Sequence, residues 1–96
     1  MKYNLDKQVT NEIIASAHKY GIEKLILFGS RARGDNRERS NIDLAAKGGN
    51  IVEFTLSLED EVRTLLMFDV VNLDKLIQPE LLEEIQKDGI ILYKKI

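Results

Sequence analysis

LILFGSRARGDNRERSNIDL, residues 25–44, decides how the rest of the chain is read. Leu25-Ile26-Leu27-Phe28 is an apolar run short enough for a buried strand. It stops at Gly29-Ser30, and Ser30 is placed to cap a short helix over residues 31–36. A second short alternation, Ile42-Asp43-Leu44-Ala45, then brings a carboxylate back beside the Gly-Ser turn. A strand that ends in Gly-Ser before a helix start suits a phosphate. Glycine lets the backbone approach closely, and the unpaired N–H groups of a first helical turn favour an anion. A carboxylate on the next strand can hold a divalent cation against the same phosphates.

Outward from this stretch the periodicity changes to that of helices. Val9, Ile13, Ala17 and Tyr20 recur at three or four residues, with Ile14 widening the stripe, and predict a helix over residues 6–20 that Gly21 terminates. His18 lies on it with no partner beside it and reads as a surface or structural histidine. After the second strand (residues 42–46), Lys47-Gly48-Gly49-Asn50 makes a loop. Phe54, Leu58, Val62, Leu65 and Leu66 predict a second helix over residues 51–66, with Glu53, Glu59, Asp60, Glu61 and Arg63 as its wet face. Residues 67–73 form the third strand. Asp69 interrupts its apolar run: a carboxylate buried there needs a partner, so Asp69 joins the candidate site residues, whereas on an edge strand it would simply face water. Residues 74–78 connect to a helix that opens at Pro79, buries Leu81, Leu82 and Ile85, and ends at Gly89. Residues 90–93 form the last strand. The expected fold is α/β (α+β): a small mixed sheet with helices packed on it, within a single domain over residues 1–96.

Composition narrows the chemistry. The chain has 96 residues, a net charge of −2, no cysteine and one histidine. That excludes a disulfide framework, thiolate metal sites and a histidine cluster within one chain. No apolar run approaches the ~20 residues of a membrane span. Nothing resembles a signal peptide, and a cytoplasmic location is expected. Arg31, Arg33, Arg37 and Arg39 form a basic cluster, but Asp35 and Glu38 dilute it and no aromatic residue is interleaved for base stacking. Nucleic acid is therefore not the expected partner, and Arg37 and Arg39 read as a solvated loop.

The quoted stretch resembles the signature of the polymerase β nucleotidyltransferase superfamily, and in particular its minimal nucleotidyltransferases. Gly29-Ser30 and Ala32-Arg33-Gly34 match, and Asn41-Ile42-Asp43 stands where that family has Asp-x-Asp. Asp69 stands where the third family carboxylate is expected. The resemblance implies transfer of AMP from ATP, or of another nucleotide from its triphosphate, to a partner. It also implies Mg²⁺ or Mn²⁺ as cofactor and a HEPN-domain toxin as the partner silenced. Gly29, Ser30 and Arg33 would hold the phosphates. Asp43 and Asp69 would be catalytic, and with Asn41 they would hold the metal. A chain of this length leaves no room for an acceptor-binding domain, so the acceptor is expected from another protein. The oligomeric state, a homo-oligomer included, stays open.

The departure at position 41 has a physical consequence. Two unit charges ~4 Å apart interact by about 4 kcal/mol at an effective dielectric of ~20, and Asn41 offers a metal its carbonyl oxygen without that charge. Each ~1.4 kcal/mol missing from a transition state is tenfold in rate. Slow or absent transfer with the fold retained is the expectation. Two functions follow: an enzyme that modifies its partner, or a weakened homologue that neutralises the partner by binding alone.

Overall fold

The computed structural model describes residues 3–96. Four helices and four strands follow in the order α1 (Lys7–Lys19), β1 (Lys24–Phe28), α2 (Ser30–Arg33), β2 (Ile42–Lys47), α3 (Ile51–Glu61), β3 (Phe68–Asn72), α4 (Pro79–Asp88) and β4 (Ile90–Lys94). The sheet order is β3-β2-β1-β4. β1 runs antiparallel to both β2 and β4, whereas β2 and β3 are parallel. The mixed sheet expected from the sequence is therefore present.

Strand alternation sends side chains to opposite faces, and the two faces are covered unequally. Leu25, Leu27, Ile42, Leu44 and Ala46 enter the main core with Val9, Ile13 and Ala17 of α1 and Phe54 and Leu58 of α3. On the other face, Phe28 and Ala45 pack against Ile85 of α4, with Ile26, Val71, Leu73 and Leu81 at the edges. Helix starts follow local chemistry. The Asp6 carboxylate accepts from the Val9 amide, and the Asn50 side chain accepts from the Glu53 amide, each satisfying a first-turn donor. A buried hydroxyl pair joins α1 to α3. Ser57 Oγ donates to the Phe54 carbonyl at 2.7 Å and lies 2.6 Å from Ser16 Oγ. Ser16 Oγ also reaches Glu61 Oε2 at 3.4 Å, and either hydroxyl can donate within the pair.

Several boundaries differ from expectation. α3 ends at Glu61, not at residue 66. Val62 turns extended (φ −105°, ψ 125°) while its side chain stays buried. The next amide, Arg63 N–H, is taken by Glu12 Oε1 of α1 at 2.8 Å. With its amide captured from outside the helix, the chain turns toward β3. Leu65 then faces solvent completely and Leu66 is half-buried. The short helix after β1 starts at Ser30 and is capped by Gly29 (φ 76°, ψ −157°), so Ser30 is its first residue and not its cap. On α4, Ile85 is buried and Leu81 half-buried, while Leu82 is exposed because only one narrow edge of that helix meets the sheet. His18 packs edge-on against Tyr93, ring centroids 6.3 Å apart, which is a packing role.

Candidate active site

Sheet register assembles the acidic residues. Asp43 of β2 stands opposite Phe28, the last residue of β1, and beside Asp69 of β3 in the parallel ladder. Paired residues share a face, so Asp43 and Asp69 lie together at one end of the α4-covered face. Asn41, two residues before Asp43, points the same way. Its Nδ2 donates to Asp69 Oδ2 at 2.9 Å. The three positions singled out in the sequence thus converge.

Gly29 completes the corner. A Cβ built on Gly29 would fall on Asp43 Oδ2, and its positive φ of 76° is a conformation side chains rarely adopt. Only glycine lets the turn lie flat against the carboxylate. The residues after it form the single turn of α2, in which Arg33 N–H donates to the Gly29 carbonyl and Gly34 N–H to that of Ser30. The first-turn amides have no intrahelical acceptor and remain available to an anion.

Burial pushes the Asp43 carboxyl above the ordinary aspartate range. The charges of Asp69 and Glu84 add to this shift, and Arg33 opposes it. Asp69 is not buried: it is exposed on edge strand β3, the other of the two arrangements its apolar run allows. What marks it is not burial but register, which sets it beside Asp43.

The arginines separate. Arg33 is exposed and reaches Asp35 at 3.1 Å and Glu84 and Asp88 of α4 at 3.5 Å each. It therefore sits between the Gly-Ser turn and α4. Arg37 and Arg39 are exposed, as expected. Arg31 is 5% exposed, so the four do not present one open basic surface. Sequence reasoning missed Arg31, because nothing in a run of alternating charges distinguishes the member that folds inward.

A cleft of about 550 Å³, lined by Glu38, Arg39, Asn41, Leu65, Leu66 and Met67, opens beside Asn41. β2 lies between β1, which carries the Gly29 turn, and β3, which Met67 precedes. Of the three converging positions the cleft is lined by Asn41 alone.

No cluster of three or more His, Cys, Asp or Glu able to hold a metal ion occurs among the described residues. Asp43, Asp69 and the Asn41 carbonyl oxygen are hard oxygen donors of the type magnesium takes, which usually completes its shell with phosphates and water. Asp43 and Asp69 would give one such ion two carboxylate donors, and the Asn41 carbonyl oxygen would join them with its amide turned over, since Nδ2 faces Asp69 here.

A family model for polymerase β-type nucleotidyltransferases matches residues 11–96. A Methanocaldococcus jannaschii protein named for protein adenylyltransferase activity is 39% identical over 70 residues, spanning 71% of this chain and 68% of its own. A crystal structure of a toxin–antitoxin with AMP-PNP superposes with a TM-score of 0.71 at 23% identity, covering 90% of this chain and 73% of that one. Another solved structure, described as a minimal nucleotidyltransferase, gives a TM-score of 0.64 at 26% identity and covers 84% and 86%.

Proposed function

Because the chain belongs to the polymerase β nucleotidyltransferase family, we propose that it handles ATP at the Gly29–Asp43–Asp69 corner and directs the adenylyl group to a hydroxyl of a partner protein. The partner in this reading is a HEPN-domain toxin, for which the chain is the antitoxin. The observation that carries the proposal is the register pairing of Asp43 with Asp69 beside the Gly29 turn. It sets two carboxylates next to a backbone corner suited to phosphate. The M. jannaschii relative's name and the AMP-PNP in the toxin–antitoxin structure support adenine nucleotide as the donor.

In the reaction the acceptor oxygen forms a bond to the α-phosphorus as the bond to the bridging oxygen of pyrophosphate breaks. The hydroxyl proton passes to a carboxylate, and Asp69 is the one on the cleft side. Entering and leaving oxygens stand in line. The Gly29–Ser30 turn and Arg33 would receive the departing phosphates. The cleft beside Asn41 would receive the acceptor. Mg²⁺ or Mn²⁺ held by Asp43, Asp69 and the Asn41 carbonyl oxygen would supply charge neutralisation at the phosphates. Ser30 Oγ and the first-turn amides bind and orient the triphosphate.

One observation favours the second reading, neutralisation by binding alone. The Asn41 amide nitrogen hydrogen-bonds Asp69, occupying with a donor a carboxylate oxygen that the transfer reaction needs for a metal or a proton. The test is transfer of label from α-labelled ATP, with magnesium or manganese, to a co-expressed HEPN-domain partner, for the chain as written and for Asn41→Asp. Label in both establishes the enzyme. Label only with Asn41→Asp means a site disabled at one position, and the chain acts by binding. No label in either, with the partner supplied, overturns the transferase reading.

A further inference from the structure

Among the described residues, Arg31 is the one charged side chain classed as buried. It stands between Ser30 and Ala32, at the one position of Gly29–Gly34 that the family resemblance leaves unassigned. No carboxylate pairs with it among the described ion pairs. Its guanidinium meets backbone carbonyls instead. Nε donates to the Ser40 carbonyl at 3.0 Å, Nη2 to that of Glu38 at 3.0 Å and Nη1 to that of Asn4 at 3.2 Å. The Asn4 amide donates back to the Arg31 carbonyl at 2.9 Å.

Removing a guanidinium from water is costly, and an ion pair is the usual compensation. Here the compensation is three directed bonds from a rigid fork, which a lysine ammonium does not reproduce. The segment they hold has no regular structure between Gly34 and Asn41. It closes a turn on itself, with Ser40 N–H donating to the Arg37 carbonyl and Arg37 N–H to Ser40 Oγ. Those bonds shape the turn but do not attach it to anything. Arg31 attaches it, through carbonyls one and three residues before Asn41. On the other side of Asn41, Ile42 N–H donates to the Met67 carbonyl at 2.8 Å and opens the β2–β3 ladder. Asn41 is thus suspended between two anchors, one of them Arg31.

We infer that Arg31 is a positioning residue: its buried guanidinium fixes the 38–40 segment to the Gly29–Ser30 turn and so sets the distance between the phosphate corner and residue 41. What this placement serves rests on the nucleotidyl-transfer reading, whereas the clamp itself does not. Arg31 touches neither nucleotide nor metal; it acts through the backbone.

The test uses the full chain with Arg31→Lys, and Arg31→Gln as a second variant that keeps a donor without charge. Amide hydrogen exchange is read residue by residue by NMR without ligand, and Mn²⁺ affinity is measured in the presence of ATP. Exchange is expected to rise at Arg39, Ser40 and Asn41 while the amides of Leu25 and Leu27 in β1 keep their protection. The Mn²⁺ dissociation constant is expected to rise about tenfold, the scale on which residues that orient metal ligands act, with affinity for metal-free ATP changed far less. Exchange raised evenly across the sheet, or unchanged at residues 39–41, overturns the inference. So does failure of both variants to fold, because Arg31 would then be a general structural residue. If the parent chain binds no Mn²⁺ with ATP, the nucleotide reading falls, and the exchange pattern still decides the role of Arg31.

Discussion

Asp43 is pulled in two directions. It is partly desolvated against the Gly29 turn and faces Asp69, so the folded protein disfavours its charge; a cation favours it. Its folded pKa lies above the unfolded value. The folded state therefore holds this proton more tightly, and stability declines as pH rises from the ordinary aspartate range through the raised pKa. Asp43→Asn removes the penalty. In the metal-free protein it should raise Tm at pH 7.5 by ~3 °C, a small shift for a domain of this size. The gain should vanish below the ordinary aspartate pKa, where the parent's Asp43 is also protonated. Thermal melts of parent and variant across pH check this, and a variant less stable at pH 7.5 than at pH 3.5 relative to the parent would contradict it. Mn²⁺ binding should be lost in the same variant. Asn41→Asp should do the reverse. A third carboxylate beside Asp69 in place of a hydrogen-bond donor should lower metal-free Tm and strengthen Mn²⁺ binding, read by melts with and without the ion.

At the scale of elements, the decisive join is β1 to α2. Gly29 sits in a backbone region nearly closed to other residues, and a methyl group there would strike Asp43. Gly29→Ala should cost about 1–3 kcal/mol from backbone strain alone, measured by denaturant titration, and should abolish label transfer even in the Asn41→Asp background. This join was legible in the sequence because Gly-Ser, a weak signal alone, is followed by Ala-Arg-Gly and by an acidic strand at the expected interval. Strand positions were legible from period-2 alternation, which also sets Asn41 and Asp43 on one face; that Asp69 joins them was implied only by the family resemblance, because the pairing of β2 with β3 is not written in either strand. The end of α3 was not. Val62, Leu65 and Leu66 continue the helical stripe, and the helix stops because Glu12, far away in sequence, takes the Arg63 amide. Arg31 was hidden for the same reason. Its partners are carbonyl oxygens, which every residue carries, so no residue type announces them. Asp69 was picked out on a premise of burial that its edge-strand position does not bear out.

Across the whole molecule, the sheet is clad by two layers of unequal depth. The α1–α3 layer closes over a core that includes Ile13, Leu25, Leu27, Leu44, Phe54 and Leu58, all fully buried. The α4 layer rests on Phe28, Ala45 and Ile85, with Ile85 the only buried residue of that helix. The candidate site lies on the thin side, where Glu84 of α4 bears on Asp43 and Arg33 bridges to Glu84 and Asp88. Regions with few buried apolar contacts open locally well before the whole molecule unfolds. Amides in the last turn of α4 should therefore exchange through a local opening, and those of β1 and β2 only through global unfolding. Ile85→Ala removes the one deep contact of that layer, and truncations of this kind typically cost about 2–5 kcal/mol. If α4 is a separate cooperative unit, the variant should strip protection from residues 85–88 while leaving much of that in Leu25, Leu27 and Leu44. The Arg33 bridge should be lost with it. If protection falls by the same factor in α4 and in the central strands, the two layers open together, and the site is as rigid as the core beneath it.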